Sequence, residues 1–566
     1  MHQPGRVRYA VALSRLVIML VLVMLLSCQP AGDLTYSQAV ARLDDLLKGI
    51  AWSQQVLTRK VPVSLTTTQV QDTLPDITKF ALVVNPPASP HDVVVEIFTS
   101  MEKAGQGTDG WLVEVANSFN RSHGRLRSGR TARVALRAIA SDTAYEFIAT
   151  RKYIPEAYAP SNHLWLQMVA AHDIPLVPIR ERLLGNTAGV VMKKRVLQTL
   201  KAKYGTVGVA QVIDAVVQGS IAMGYTDPYA SSTGLNFLVT VLATLARGDT
   251  GKLLADDVVS AFTAFQRGVP FVSLTTLQMR EAVQQERSLD AFVMEQQAFV
   301  QTSALQAGYA FVPFGVRHDN PLYGLVALSA EKREVLEQFA QFASQEAAQK
   351  LATDYGFNRL DDYAAPFPLP AGEVVLQAQN VWKRQKDAGK PIAAVFLCDV
   401  SGSMDGVPLQ NLKRALLTGS QFIAAENAIG LVVFSDSVQQ LLPIQQLTSH
   451  HRAMFAAAVQ EMTAGGQTAM YNGMLVALKM LVTEKAVHPD SKPLLFVLTD
   501  GQTNAGLAFD KVKAVLAGLS IPIYTIGYNA RIDVLRQISA LNEAASLTAD
   551  QEDIVYKMAA LLNAEM

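Results

Sequence analysis

The sequence predicts an α/β protein, with a C-terminal doubly wound, mostly parallel sheet preceded by a two-lobed α/β domain. Three observations support this fold class. Short apolar runs alternate with helix-like stretches in residues 391–566, a similar alternation occupies residues 92–362, and the Pro-rich segment A-A-P-F-P-L-P separates the two. Proline at that density favours an extended linker. We therefore expect a Pro-rich linker and a stem helix at residues 363–390.

The C-terminal region contains four short apolar runs, which are typical of parallel strands buried on both faces. These runs cover residues 392–397, 428–434, 494–498 and 521–526. Helix-like stretches alternate with them at residues 412–426, 452–462, 470–485, 509–519 and 532–542. We also expect an extra edge strand at 438–447 and a closing helix at 554–563. Doubly wound sheets bind ligands outside the carboxyl ends of their strands, where a functional site is therefore expected.

A candidate metal site lies at those strand ends. The first apolar run leads into the loop D-V-S-G-S, which places the oxygens of Asp399, Ser401 and Ser403 at alternate positions. A Gly-rich turn downstream presents Thr468 at a helix start, and the third apolar run ends at Asp500. Mg²⁺ prefers oxygen ligands in octahedral geometry. An ordinary strand-to-loop turn would explain the first loop alone, because Asp, Ser and Gly are common in turns. The combination of all five residues favours a metal site.

These five residues, in this order, resemble the metal-ion-dependent adhesion site of the von Willebrand factor A family. The resemblance implies a Rossmann-like domain that binds Mg²⁺ or another divalent cation, such as Mn²⁺ or Ca²⁺. It implies that Ser401, Ser403 and Thr468 contact the cation directly, and that Asp399 and Asp500 bind it directly or through water. It also implies that a protein partner supplies an Asp or Glu to the remaining coordination position.

The N-terminus predicts export from the cytoplasm. A stretch with three arginines precedes the apolar run 16–26, which ends next to Cys28. This run is shorter than the ~20 residues of a membrane span, and its basic flank is typical of a secretion signal. Residues 25–28 resemble the lipobox of bacterial lipoproteins, which implies removal of residues 1–27 and lipidation of Cys28. A plain signal with an incidental cysteine is the alternative. Gln29, in place of Asp, resembles lipoproteins that are sent to an outer membrane.

Composition narrows the classes of function. The chain has 49 basic and 49 acidic residues, so it lacks the excess of positive charge that nucleic-acid binding requires. Cys398 is the second of two cysteines and has no disulfide partner if Cys28 is acylated. We expect it to be a small core residue. Hydrolase and nucleotide-binding motifs of the G-x-S-x-G, H-E-x-x-H and Walker types are missing, and His450 and His451 are expected to be solvated. The sequence therefore predicts a binding protein rather than an enzyme.

Residues 92–362 predict a second α/β unit, too long for one sheet with so few strands, and therefore two lobes. Expected strands cover 93–99, 133–139, 188–192, 221–225 and 308–313, and expected helices cover 110–119, 144–149, 196–204, 207–218 and 332–357. The preceding residues 28–91 are expected to form a spacer or a small subdomain, with an amphipathic helix at 34–50.

Four sequence motifs in this unit resemble extracellular solute-binding proteins of the two-lobed periplasmic type. They are F-T-S-M-E-K with the following W-L-V-E-V-A-N-S-F-N, A-Y-A-P-S-N-H-L-W, G-Y-T-D-P-Y-A-S-S-T-G and Y-A-F-V-P-F-G. The resemblance implies a ligand between the lobes. The matching loops carry the candidate ligand-binding residues Thr99, Ser100, Ser141, Thr143, Thr226, Ser231, Ser232 and Thr233. Hydroxyl groups and free N–H groups at helix starts favour an anion, although a single cluster of this kind is more often a helix N-cap than a ligand contact.

The predicted function is a membrane-anchored, extracytoplasmic binding protein of the bacterial cell envelope that docks a protein partner through the metal site. The alternative is a receptor for a small anion, linked to a transporter or an envelope complex. An envelope assembly factor is a third possibility that the sequence does not separate from adhesion.

Overall fold

The structure, a computed structural model, describes residues 34–55, 59–63, 69–87, 89–122, 124–273, 279, 289–325, 327–386, 389–529, 533–542 and 544–566. The predicted signal peptide and Cys28 lie outside these residues. Over the ranges just given, no helix combines the length and the apolar character that crossing a bilayer requires.

The first half of the chain alternates strands and helices through two lobes. Its elements begin with α1 (Tyr36–Leu47), β1 (Trp52–Gln54), β2 (Leu82–Val84), β3 (Asp92–Thr99), α2 (Met101–Ala104), α3 (Trp111–Ser122), β4 (Thr131–Ala138), α4 (Ser141–Ala149), β5 (Ala157–Ala159), α5 (His163–Ala170) and β6 (Leu176–Arg180). They continue with β7 (Asn186–Lys193), α6 (Lys194–Tyr204), α7 (Val209–Val217), β8 (Met223–Thr226), α8 (Ser232–Leu245), α9 (Asp256–Arg267), β9 (Phe271–Ser273), β10 (Ala291–Glu295), α10 (Gln296–Gln301), α11 (Ser303–Gly308), β11 (Tyr309–His318), β12 (Leu322–Leu325), α12 (Ala330–Ala343) and α13 (Glu346–Asp354).

The second half begins with a helix and then builds one large sheet. Its elements are α14 (Gly372–Gln385), β13 (Ile392–Asp399), α15 (Val407–Gly419), β14 (Ala428–Phe434), β15 (Val438–Gln446), α16 (Ser449–Glu461), α17 (Met470–Val487), β16 (Lys492–Thr499), α18 (Phe509–Leu519), β17 (Ile523–Tyr528), α19 (Asp533–Leu541), β18 (Ser546–Ala549) and α20 (Ile554–Glu565).

Across the described residues, the C-terminal strands form a seven-stranded sheet in the order β1-β15-β14-β13-β16-β17-β18. Strands β14, β13, β16, β17 and β18 are parallel, whereas β15 runs antiparallel to β14. Alternate side chains point to opposite faces. Phe396 and Phe496 therefore stack on one face, with ring centroids 5.2 Å apart, beneath α15, α16 and α20. Leu397 and Val497 pack on the other face beneath α17 and α18. Helices cover both faces, which confirms the predicted fold class.

The two lobes have separate sheets. Within the described residues, the first lobe is a six-stranded sheet in the order β2-β4-β3-β5-β12-β6, and the second is a five-stranded sheet in the order β11-β7-β10-β8-β9. One expected element differs. The prediction of a single helix over 332–357 is wrong, because Gln345 has extended backbone angles (φ −65°, ψ 152°) and α13 starts after it. Ser344 Oγ donates to the carbonyl oxygen of Ala340 at 2.8 Å, which satisfies an acceptor at the end of α12.

Two elements of the C-terminal domain also differ from the prediction. The helix predicted at 412–426 begins earlier, at Val407, because Gly406 adopts a positive φ of 77° and a proline stands in the first turn of α15. The segment predicted as an edge strand is β15, but it is not at the edge of the sheet. Strand β1 pairs with it in parallel register, with Trp52 opposite Val438.

The described part of residues 28–91 therefore lies against both larger units. Ala39 and Leu43 of α1 are fully buried in the core formed with α17 and α18. Val70 and Leu74 instead join the core of the lobes. The domain boundaries given by the sequence stay a prediction.

Candidate metal centre and interlobe cleft

The candidate metal centre starts at the carboxyl end of β13, where Asp399 is fully buried. Its Oδ1 accepts a hydrogen bond from the backbone N–H of Ser401 at 2.8 Å, and its Oδ2 accepts one from the hydroxyl group of Thr499 at 2.5 Å. Both bonds fix the carboxylate at the base of the loop. Burial raises the pKa of Asp399, and the nearby Asp500 raises it further. A bound cation would remove this penalty on the charged form.

A chain of oxygen contacts runs from Ser401 towards solvent. Ser401 Oγ lies 3.2 Å from Ser403 Oγ, which donates to Asp500 Oδ1 at 2.8 Å. Two neighbouring ligands of an octahedral Mg²⁺ site, each about 2.1 Å from the metal, lie about 3 Å apart. The observed spacings match that value. Ser401 is buried, whereas Ser403 is exposed, so the group opens towards the surface.

Backbone contacts hold the loop of Thr468 against the first loop. The N–H of Gly402 donates to the carbonyl oxygen of Gly466 at 2.9 Å, and the N–H of Gly465 donates to the carbonyl oxygen of Val400 at 2.8 Å. Gly466 has φ +84°, and a Cβ atom there would lie 2.1 Å from Asp436 Oδ2. Glycine is therefore required for the loop to approach this closely. These contacts bring Thr468 to the same edge of the sheet as Asp399.

Three supporting residues were missed by the sequence analysis. Thr499 holds Asp399, as described above. Asn504 Oδ1 accepts from the N–H of Thr468 at 2.8 Å, and Thr503 Oγ1 donates to the carbonyl oxygen of Thr468 at 2.6 Å. Their positions next to Asp500 in the sequence were the only signal, because hydroxyl and amide side chains are common in loops.

The donor set fits a hard divalent cation. It contains two carboxylates and three hydroxyl groups, and oxygen ligands of this kind suit Mg²⁺, Mn²⁺ or Ca²⁺. In the part of the chain that the structure describes, no group of three or more His, Cys, Asp or Glu residues could hold a metal ion. Cys398 is buried, and burial raises its pKa, which disfavours the thiolate form that binds metals. His451 was expected to be solvated. It is instead buried, with Nε2 2.8 Å from the carbonyl oxygen of Ile429.

A second candidate site is a cavity of about 560 Å³ between the two lobes. Five of the eight predicted hydroxyl residues line it, namely Ser100, Ser141, Ser231, Ser232 and Thr233. The other three do not. Thr226 Oγ1 donates to Ser231 Oγ at 2.9 Å, and Thr143 Oγ1 accepts from the Tyr556 hydroxyl group at 3.4 Å. Thr99 is buried as the last residue of β3.

The two lobes are in direct contact around this cleft. Ser232 Oγ donates to Ser161 Oγ at 3.1 Å, and Gln297 Nε2 donates to Asp109 Oδ1 at 2.9 Å. The cleft is therefore narrowed by hydrogen bonds that cross from one lobe to the other.

The charge of the lining differs from the expectation. Its ionisable side chains are the carboxylates of Glu102, Asp109, Asp142 and Glu295, and no Lys, Arg or His stands among its described residues. An anion would meet like charge there, so the cavity does not support the prediction of an anionic solute.

Comparison with known protein families finds matches in two parts of the chain. Residues 394–559 match the family model for the von Willebrand factor type A domain, and residues 104–358 match that for the bacterial extracellular solute-binding protein. The first match includes all five candidate metal ligands. The second includes most of the lining of the cleft.

Curated relatives match a limited part of the chain. Inter-alpha-trypsin inhibitor heavy chain H1 of Mesocricetus auratus is 28% identical over 151 residues, which cover 25% of this chain and 16% of the relative. An uncharacterized protein of Synechocystis sp. is 27% identical over 158 residues, which cover 27% of this chain and 36% of the relative. The chain thus spans well under two thirds of the length of these relatives.

Solved structures with detectable similarity include representatives of each type. A periplasmic thiamin binding protein aligns over 54% of this chain and 99% of its own, with 13% identity and a TM-score of 0.38. A von Willebrand factor type A protein from Catenulispora acidiphila aligns over 31% of this chain and 42% of its own, with 17% identity and a TM-score of 0.29. From the family matches and the three sheets, the chain carries a solute-binding-protein-like domain followed by a C-terminal von Willebrand factor A domain.

Proposed function

We propose that this protein is an extracytoplasmic binding protein, anchored to a bacterial membrane through Cys28, that docks a protein partner at the metal centre of its C-terminal domain. The observation that carries the proposal is the run of polar contacts from Asp399 through the backbone N–H and hydroxyl group of Ser401 and through Ser403 to Asp500. Anchoring is supported by the sequence around Cys28. Binding rather than catalysis is supported by the two family matches.

Each side chain has a distinct part in this proposal. Asp399 would provide negative charge at the buried base, and Asp500 would provide it at the partly exposed side. Ser401, Ser403 and Thr468 would add neutral oxygens, so the protein charge would balance a divalent cation without exceeding it. A bound Mg²⁺ would supply an open coordination position to a carboxylate oxygen of the partner, and the surrounding surface would supply contact area. Ser403 is the exposed member of the set and marks the side on which a partner would arrive.

The experiment is the capture of partners by the purified chain from an extract of the producing cell, with Mg²⁺ or with EDTA. We expect a specific partner that is retained in Mg²⁺ and released by EDTA. Asp399→Ala should abolish capture, because it removes the buried carboxylate. Asp405→Asn is the matched control, since Asp405 is an exposed carboxylate of the same loop outside the five candidate ligands. Capture that survives both EDTA and Asp399→Ala would show that docking does not use this site.

A second candidate function is the binding of a small solute between the lobes, linked to a transporter or an envelope complex. The observation that favours it is the cavity of about 560 Å³, a size within the range of ligand pockets. If this function holds, some small solute should stabilise the chain thermally in the presence of EDTA. A lack of any thermal shift across a broad panel of solutes would remove its support.

A further inference from the structure

The interlobe cleft has a mixed lining with an excess of negative charge. Three carboxylates come from the first lobe, on Glu102, Asp109 and Asp142, and Glu295 comes from the end of β10 in the second lobe. The same cavity is also lined by apolar side chains, on Met101, Ala140, Ala230, Met294 and Ala298. A ligand that fills this space must therefore satisfy separated carboxylates and also present hydrocarbon to the apolar side chains.

The charge of Glu295 is not cancelled by its histidine neighbour. His318 Nδ1 lies 2.9 Å from Glu295 Oε1, and His318 Nε2 lies 3.1 Å from the side-chain nitrogens of both Asn162 and Asn236. The amide of Asn236 has a fixed orientation, because its oxygen accepts from the N–H of Val316 at 2.9 Å and its nitrogen donates to the Val316 carbonyl group at 2.7 Å. Nε2 must then accept, and the hydrogen is on Nδ1. The ring that donates to Glu295 is thus a neutral imidazole, and Glu295 also accepts from Asn186 Nδ2 at 2.9 Å.

One buried ammonium group partly offsets the acidic lining. Lys103 is fully buried, with Nζ 3.5 Å from Glu102 Oε1 and in contact with the hydroxyl group of Ser100. It also interacts electrostatically with Glu295. Four carboxylates thus face one protein cation. Burial raises the pKa of Asp142 to about 7, a penalty on its charged form that a bound cation would relieve.

We propose that the cleft binds a small aliphatic amine with at least two protonated nitrogens, a diamine or polyamine, instead of an anion. This inference rests on the second candidate function, solute binding between the lobes. Ammonium N–H groups would donate to the carboxylates and to the serine hydroxyl oxygens, and the methylene chain would lie along Met101 and Met294. No Phe, Tyr or Trp belongs to the described lining, so the aromatic faces that recognise quaternary ammonium groups are not provided there.

The test is isothermal titration calorimetry on the full chain in EDTA. The chelator removes divalent cations, so that binding at the candidate metal centre does not contribute to the measured heat. The ligands are putrescine and spermidine, together with butane-1,4-diol and succinate, which have the same carbon spacing as putrescine but a neutral or negative charge. We expect saturable binding of both amines and no binding of the diol or of succinate. Asp142→Asn and Glu295→Gln should each weaken binding by about tenfold or more, because each removes a charge-assisted hydrogen bond. Glu337→Gln, an exposed carboxylate on α12, should leave binding unchanged.

The possible failures are distinguishable. Saturable binding of succinate without binding of the amines would keep the cleft as a solute site and overturn the charge argument. Equal binding of butane-1,4-diol and putrescine would also overturn it. Lack of binding by every ligand would count against both the inference and solute binding in the cleft. Because Glu295 contacts His318 and Asn186, Glu295→Gln could disturb folding, and Asp142→Asn then carries the test alone.

Discussion

The substitution Asp399→Asn separates metal binding from the structural role of this side chain. The amide oxygen can keep the hydrogen bond from the N–H of Ser401, now 2.8 Å long. The amide nitrogen would then face the hydroxyl group of Thr499, which now donates to Asp399. That hydroxyl group can turn to the carbonyl oxygen of Gly501, 3.2 Å away, and accept from the amide instead. The variant should therefore fold with all of these groups hydrogen-bonded.

The size of the effect follows from ligand linkage. A cation that binds only the folded state, at a concentration one hundred times its dissociation constant, stabilises that state by about 2.7 kcal/mol. For a unit of about 150–250 residues, each kcal/mol shifts the thermal midpoint by about 2–4 °C. Wild-type protein should thus gain about 5–10 °C in the transition of the C-terminal domain when Mg²⁺ replaces EDTA. Asp399→Asn should gain nothing, because the buried negative charge at the base of the site is gone.

The assay is thermal unfolding of the full chain, scanned in EDTA and over a series of Mg²⁺ concentrations. In EDTA the variant should unfold within about 1 kcal/mol of wild type, since it loses no hydrogen-bonding group and no longer buries an uncompensated charge. Asp405→Asn should respond to Mg²⁺ like wild type. A full Mg²⁺ shift in Asp399→Asn, or no shift in wild type, would refute the assignment of this carboxylate to a metal.

Two further predictions concern contacts that link distant parts of the chain. Leu43→Ala should destabilise the C-terminal domain by about 2–5 kcal/mol, because Leu43 is fully buried against α17 and α18. The thermal midpoint in EDTA measures this loss, and a destabilisation below about 0.5 kcal/mol would contradict the packing of α1. Burial raises the pKa of Glu146 from its usual value of about 4.5 to about 8, so the folded protein binds more protons than the unfolded chain between these pH values. Stability should therefore fall as pH rises from about 4.5 to about 8. Glu146→Gln should flatten this part of the curve of midpoint against pH, and an unchanged slope would exclude the contribution of Glu146.

The sequence located the strands of the C-terminal sheet well because they are continuous apolar runs buried on both faces. The five candidate metal ligands were also identifiable, since three share one loop and two stand at helix or strand ends. Strand β1 was not predicted. Its residues Trp52–Gln54 are all exposed, so the sequence shows no alternation of apolar and polar residues there. Their pairing with β15 depends on a contact with residues almost 400 positions away in the chain. A single sequence carries no direct information on such a contact.

The cleft shows a second limit of prediction from the sequence. Five of the eight hydroxyl residues do line the cavity, because loops at the ends of strands converge between the lobes. The charge of the cavity was not predicted, because sequence position does not say which carboxylates turn inwards. Glu102 lies in the short helix two residues beyond Ser100, and Glu295 ends β10, and neither was among the hydroxyl residues chosen from the sequence. Only the packing of the lobes places them around one cavity.

The two candidate sites belong to one connected structure. Helix α4 begins at Ser141, which lines the cleft, and one turn later carries Glu146, whose Oε2 accepts from the hydroxyl group of Tyr556 at 2.6 Å. Tyr556 is on α20, which packs beneath the sheet that carries the candidate metal centre. A solute that moved the first turn of α4 would therefore also move a contact of the C-terminal helix.

The order of the elements along the chain also connects the two lobes with the C-terminal domain. Strand β1 belongs to the C-terminal sheet and helix α1 packs on one face of it, although both precede the two lobes in the sequence. The lobes are thus inserted into the C-terminal fold, and the chain returns to it along α14, after which Lys386 pairs with Glu565 at 3.1 Å. A fragment that starts at residue 391 would lose strand β1, uncover the apolar surface under Leu43 and leave Glu565 without Lys386. Experiments on both candidate sites therefore need a chain that retains residues 34–55, because helix α1 and strand β1 pack into the C-terminal domain.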